Sequence, residues 1–182
     1  MTLYGYGDPI KYFDVVDSSG VDQALTKRLG YAKVFVVGKD VLVKNAVDSE
    51  GKACIVASRN PQTILRASRS RSVVGVVFDD AELLKKNLEE LRDGEKLLVI
   101  PACYLFADDQ RTRQRNLYRV RKLYKNAKRV GVGMAIASMA RSKEYLLSAA
   151  QMAELAKYIG ASDSDAKKMV YSIGACIDGV TR

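Results

Sequence analysis

The sequence predicts an α/β protein built on parallel strands, and three observations carry that expectation. Short β-branched runs alternate with helical patterns along the chain. Several of these runs are continuously apolar, as in strands covered on both faces, instead of alternating. No long hairpin signal joins consecutive strands. An open parallel sheet and a (β/α) barrel both satisfy this pattern. A full eight-fold barrel takes about 250 residues, so a barrel in this 182-residue chain would be compact or short of a unit.

The elements follow in order. "YFDVV" from Tyr12 predicts the first strand and leads to a helical pattern over 21–29. "KVFVV" from Lys33 and "KACIVA" from Lys52 predict the next two strands. In "SRNPQTILRASRS" Asn60 suits an N-cap and Pro61 the first helical position, which places a helix over 61–70. "SVVGVVF" from Ser72 is a strand run, followed by a helical pattern over 80–92. "KLLVIPA" from Lys96 precedes a helix over 109–126, and "RVGVGMAI" from Arg129 predicts the last strand. Two helices over 148–159 and 163–172 close the chain. Gly160 stops the first of them, and Ser162 or Asp163 caps the second.

Nothing in 1–182 resembles a flexible linker, so the expectation is a single domain. The cysteines Cys54, Cys103 and Cys176 are odd in number and lack metal-ligand spacing; small buried apolar side chains are the expectation for all three. "MTLYGYGDP" shows no basic region followed by an apolar one, and no apolar run approaches bilayer length. A cytoplasmic protein without membrane contact is expected.

The chain has no histidine, which removes Ser-His-Asp and Cys-His catalysis and most zinc hydrolase sites. Carboxylates could still serve an α/β-barrel enzyme that depends on a metal or a phosphate group. Asp14 and Asp17 lie near the end of the first strand, and Asp79 and Asp80 follow the fourth run, where barrel enzymes keep catalytic groups. Helix capping is the plainer role for Asp79 or Asp80. "GVG" at 131–133 lacks the third glycine of a dinucleotide turn and falls inside the expected strand, so tight packing is its expected role.

Charge is the informative feature. The net +9 is concentrated in two places: 59–71 holds four arginines and no acid, and 110–143 holds eleven basic residues and no acid. That is the pattern of a localised anion-binding surface. Wound as a helix at about 100° per residue, 110–129 puts Leu117, Val120, Leu123, Tyr124 and Ala127 in one stripe. Arg111, Arg115, Arg119, Lys122, Lys125 and Arg129 lie opposite, with Tyr118 among them. Arg121 and Lys128 flank the stripe. Arg113 falls near the apolar side, which suggests a helix start after it. Arg111/Arg115, Arg115/Arg119, Arg121/Lys125 and Lys125/Arg129 are like-charge i,i+4 pairs, together costing on the order of 1–2 kcal/mol. No local acid offsets that repulsion. Arginine's fork suits phosphate oxygens, and Tyr118 offers a ring to an unpaired base. Arg59, Arg66, Arg69 and Arg71 form the second basic segment. A solvated helix face usually mixes both signs, and these segments do not.

These same residues carry a family resemblance. "KACIVASRNPQTILRASRSRSVVGVVFDD" resembles the ribonuclease P protein component 3 family, an archaeal and eukaryal subunit. The basic helix follows a strand end like that family's, and "IASMARSKEYLLSAAQMAELAKYIGASDSDAKKMVYS" resembles its C-terminal segment. Leu147, Ala149 and Gln151 stand where the family has Arg, Pro and Asp, and Arg141 and Lys143 supply charge nearby. The resemblance implies a compact TIM-barrel-like fold, incomplete or distorted, without a catalytic site, metal or cofactor of its own. It implies RNA binding through Arg59, Arg66, Arg69, Arg71, the basic helix, Arg141 and Lys143. It further implies support of the ribonuclease P RNA in removing the 5′ leader of precursor tRNA. The expected partner is the smaller subunit (the Pop-five homologue), in a heterotetramer. The related fold of the polymerase-and-histidinol-phosphatase hydrolases keeps the enzyme alternative open.

Overall fold

The computed structural model describes residues 13–16, 22–36, 42–44, 53–58, 60–77, 85–106, 109–140 and 145–180. Among these residues seven strands form, all paired in parallel. β1 (Phe13–Val16) pairs with β2 (Lys33–Val36), and α1 (Gln23–Arg28) lies between them in sequence. The second sheet runs in chain order through β3 (Leu42–Lys44), β4 (Cys54–Ala57), β5 (Val73–Val77), β6 (Leu97–Pro101) and β7 (Met134–Ala137). Its connections carry α2 (Pro61–Arg69), α3 (Lys85–Asp93) and α4 (Gln110–Val130); α5 (Ala149–Tyr158) and α6 (Asp163–Val180) follow. This is the strand–helix alternation read from the sequence, with an α/β architecture and parallel pairing. No closed barrel is formed by the described strands.

Both faces of the sheet are buried over β4 to β7, which explains the continuous apolar runs. Cys54, Val56, Val73, Val76 and Leu98 face α2 and α3 through Ile64, Ala67, Leu88 and Leu91. Ile55, Val74, Val77, Leu97, Val99, Ala135 and Ala137 face the other way, onto Ile173 and Ile177 of α6. The β4–β5 register slips between Cys54 and Ile55. Gly75 sits beside that slip, where a Cβ would lie 2.7 Å from Val99 Cγ2 and 2.9 Å from the Leu97 carbonyl oxygen. Only glycine lets the two backbones approach so closely.

Several boundaries differ from the sequence reading. β3 and a 3-10 turn at Ala102–Leu105 were not foreseen. The turn faces Cys103 outward, so only Cys54 is fully buried, Cys103 is exposed and Cys176 is half-buried. The last strand begins at Met134, not Arg129: α4 runs on to Val130, and Gly131 ends it at φ +84°. Within "GVG" only Gly133 is a packing glycine, its Cβ position 3.1 Å from Leu97. The final helix continues past Ser172 to Val180, because Ile173 and Ile177 bury fully against the sheet and override the weak helix propensity of Gly174 and Gly179.

β1 is tied to the far end of the larger sheet by one buried carboxylate. Asp14 Oδ1 accepts from the Ser138 amide at 2.7 Å and from the Val15 amide at 2.8 Å. The Met139 amide donates to the Val15 carbonyl at 2.9 Å, with Met139 at φ +48°. Asp14 Oδ2 is buried and takes no hydrogen bond among the described residues. Burial is the dominant influence on this carboxyl, and its pKa is pushed up to about 6 despite the Ser138 and Val15 bonds.

Candidate nucleic-acid interface

The site rests on how α4 is held. Asp109 caps it, accepting from the Thr112 amide at 2.8 Å, and that bond holds the Asp109 carboxyl below its ordinary range. The helix therefore starts before Arg113, not after it; Arg113 is exposed in the first turn, where the expected apolar side is not yet covered. Gly131 closes the other end, its amide bonding the Ala127 and Lys128 carbonyls. Val120, Tyr124 and Ala127 are buried, and Leu117 and Leu123 are half-buried, as the apolar stripe predicted. Asn116 is buried too, donating to the Tyr104 carbonyl at 2.8 Å. No sequence pattern announced that contact, since it depends on the unforeseen 3-10 turn.

Arg121 and Lys128 are engaged in packing. Arg121 donates through Nε and Nη2 to the Tyr158 carbonyl at 3.2 and 2.9 Å, with its guanidinium 4.9 Å from that residue's ring. It thus satisfies a carbonyl at the end of α5. Lys128 pairs with Asp165 at 2.9 Å, and Tyr124 Oη donates to the same carboxylate at 3.4 Å. The lysine's hydrogen bond holds Asp165 below its ordinary pKa and raises Lys128 above its own. Burial raises the Tyr124 phenol. Arg121 and Lys128 are the two cations that flank the stripe, so the flanks clamp α4 to α5 and α6.

Arg111, Arg115, Arg119, Lys122, Lys125 and Arg129 are all exposed. They share one face that extends for about 27 Å at the helical rise. Tyr118, 68% exposed, lies in the middle of that face. Arg66, Arg69 and Arg71 are also exposed, at the end of α2 and just beyond it. They do not join the α4 face. α3 packs between α2 and α4 and carries Glu89, Glu90 and Asp93. Arg92 of α3 pairs with Asp93 and donates to the Val130 carbonyl. Arg59, Arg141 and Lys143 lie outside the described residues, as do Asp17, Asp79 and Asp80.

Of the four carboxylates considered for an enzyme, Asp14 is fully buried and spent on backbone amides, so it is not a group presented to substrate. Its burial arises from a contact between residues far apart in sequence, which no strand-end argument reveals. Among the described residues no three His, Cys, Asp or Glu side chains gather as metal ligands. No described helix is long and apolar enough to cross a membrane.

Together these features define an α/β protein whose candidate site, among the described residues, is a cationic helix face. No family model matches the chain, and no curated protein sequence does. Among solved structures, its fold is similar to that of a chain in the cryo-EM structure of archaeal Ribonuclease P with mature tRNA, with a TM-score of 0.68. The likeness covers 92% of this chain and 80% of that one at 12% sequence identity, which is a likeness of fold.

Proposed function

We propose that this protein is a non-catalytic, RNA-binding subunit of ribonuclease P, supporting the catalytic RNA in removing the 5′ leader of precursor tRNA. The observation that carries the proposal is the outward face of α4, basic along its length and without an acid. The fold likeness to a chain of an archaeal ribonuclease P directs it to that ribonucleoprotein. The finer assignment is protein component 3, partnered by the smaller Pop-five homologue in a heterotetramer in the cytoplasm. Its support is the sequence resemblance over 52–80 and 136–172. A compact barrel-like form is supported by strands in chain order and by the Asp14–Ser138 link between β1 and the end of β7.

Phosphate contacts by Arg111, Arg115, Arg119, Lys122, Lys125 and Arg129, joined by the α2 arginines, make binding steeply salt-dependent. Six to ten contacts correspond to an affinity loss of about 10³–10⁵ between 50 and 200 mM salt. The deciding experiment is reconstitution with the ribonuclease P RNA and the smaller subunit at low magnesium. Precursor-tRNA cleavage should rise with the wild-type chain and fall back when Arg115, Arg119 and Lys122 become Ala. Cleavage indifferent to the chain, or RNA affinity unmoved by that triple change, would sink the proposal.

A further inference from the structure

We infer that the α4 face takes RNA with an unpaired base, stacked on the ring of Tyr118, and not merely a run of phosphates. This rests on the RNA-binding reading of α4 and narrows it to a substrate class. Tyr118 is one of four large hydrophobic side chains among the described residues that stay exposed, at 68%. Among the described residues it takes no hydrogen bond and no cation over its ring. Tyr158, exposed to 59%, differs in having the Arg121 guanidinium over its ring.

Helical spacing surrounds Tyr118 with cations. Arg111 and Lys125 lie seven positions before and after it, and Arg115 and Lys122 lie three before and four after. At about 100° per residue all four project within roughly 60° of Tyr118. Arg115 and Lys122 are thus about one turn away on either side, about 5 Å along the axis. A phosphate chain tracking this face must pass over the ring. Every base has a π-face to lay on it, and neighbouring cations can hold the flanking phosphates.

Paired RNA does not supply that group. An A-form duplex keeps its bases stacked and has a major groove too deep and narrow for side chains to read. A helix meets such a duplex at its phosphates and at the 2′-hydroxyls of the shallow minor groove, where no base face is open for stacking. The charge of the face suits either form of RNA. The bare ring at its centre suits only the form with a free base.

The test compares wild-type chain with Tyr118→Leu and Tyr118→Phe at one salt concentration. The probes are a hairpin RNA with 2-aminopurine in its unpaired loop, a fully paired duplex of equal length, and polyglutamate. Leucine is a good helix former at this exposed position, and thermal melts check that both variants fold. Tyr118→Leu should weaken hairpin binding roughly 5- to 150-fold and abolish the 2-aminopurine quenching, with duplex binding unchanged. Tyr118→Phe should keep both the affinity and the quenching. Equal hairpin binding by wild type and Tyr118→Leu overturns the inference, as does a loss as large for the duplex or for polyglutamate. A Tyr118→Phe loss equal to that of Tyr118→Leu also overturns it, because the hydroxyl and not the ring would then be the contact. The Arg115, Arg119 and Lys122 triple variant separates this inference from the broader reading. If that variant loses binding while Tyr118→Leu does not, only the stacking fails.

Discussion

Asp14 shows how a single residue can stabilise and destabilise the same structure. Its Oδ1 satisfies two buried amides, yet its charge has been taken out of water with Oδ2 left without a hydrogen bond. Its pKa rises from 3.8 to about 6, so the folded protein holds this proton more tightly than the unfolded chain. Stability therefore falls as pH rises through that interval, by on the order of 3 kcal/mol if the carboxyl is fully ionised above it. Asp14→Asn keeps the accepting oxygen and removes the titration. Urea midpoints followed from pH 4 to 7 should decline for the wild type and stay flatter for the variant. Gly131→Ala makes a separate residue-scale prediction. At φ +84° it should lower stability by about 1 kcal/mol, read from the same midpoints. The sequence exposed the local chemistry, such as the Asn60 cap and Pro61 at the first helical turn, because those depend on near neighbours. It did not expose the burial of Asp14 or Asn116, since each depends on a partner brought in by the tertiary fold.

At the scale of elements, α4 was the most legible part of the molecule. Its apolar stripe and its basic face are both set by 3.6-residue periodicity. The last four residues were missed because Val130-Gly131-Val132 has the composition of a strand, while Gly131's left-handed backbone makes it a helix stop. The predicted consequence of the face is quantitative. Each arginine or lysine removed from it should lower the slope of log affinity against log salt by about 0.7–0.9, measured by RNA titration at several salt concentrations. Arg121→Ala should act differently, reducing stability by releasing α5, with a smaller effect on that slope. α6 carries the other element-scale prediction. Ile173→Ala should cost about 2–5 kcal/mol in urea unfolding, because the side chain is fully buried between helix and sheet.

At the scale of the whole molecule, sequence suggested strand–helix alternation and buried strands but not how the strands are arranged around the sheet. Chain order, the separate β1–β2 pair and the Asp14 link are relations between distant segments. The same holds for the two basic regions: adjacent in a charge count, they are separated in space by α3. Contributions from separated groups should add. Changing Arg66, Arg69 and Arg71 to Ala together with the α4 triple should therefore lower RNA affinity by the product of the two separate factors, within about two-fold. A clearly larger or smaller combined loss in the same titration would mean the two regions grip one stretch of RNA.

The link from Asp14 to Ser138 also has a bearing on time. Its two ends are 124 residues apart in the chain. At a synthesis rate of about 5–20 residues per second, β1 leaves the ribosome roughly 6–25 s before its partner does. During that interval β1 and β2 can pair with each other but cannot reach their place beside β7. The amino-terminal segment must therefore wait, and its docking is a late event set by translation as much as by the energy of the contact.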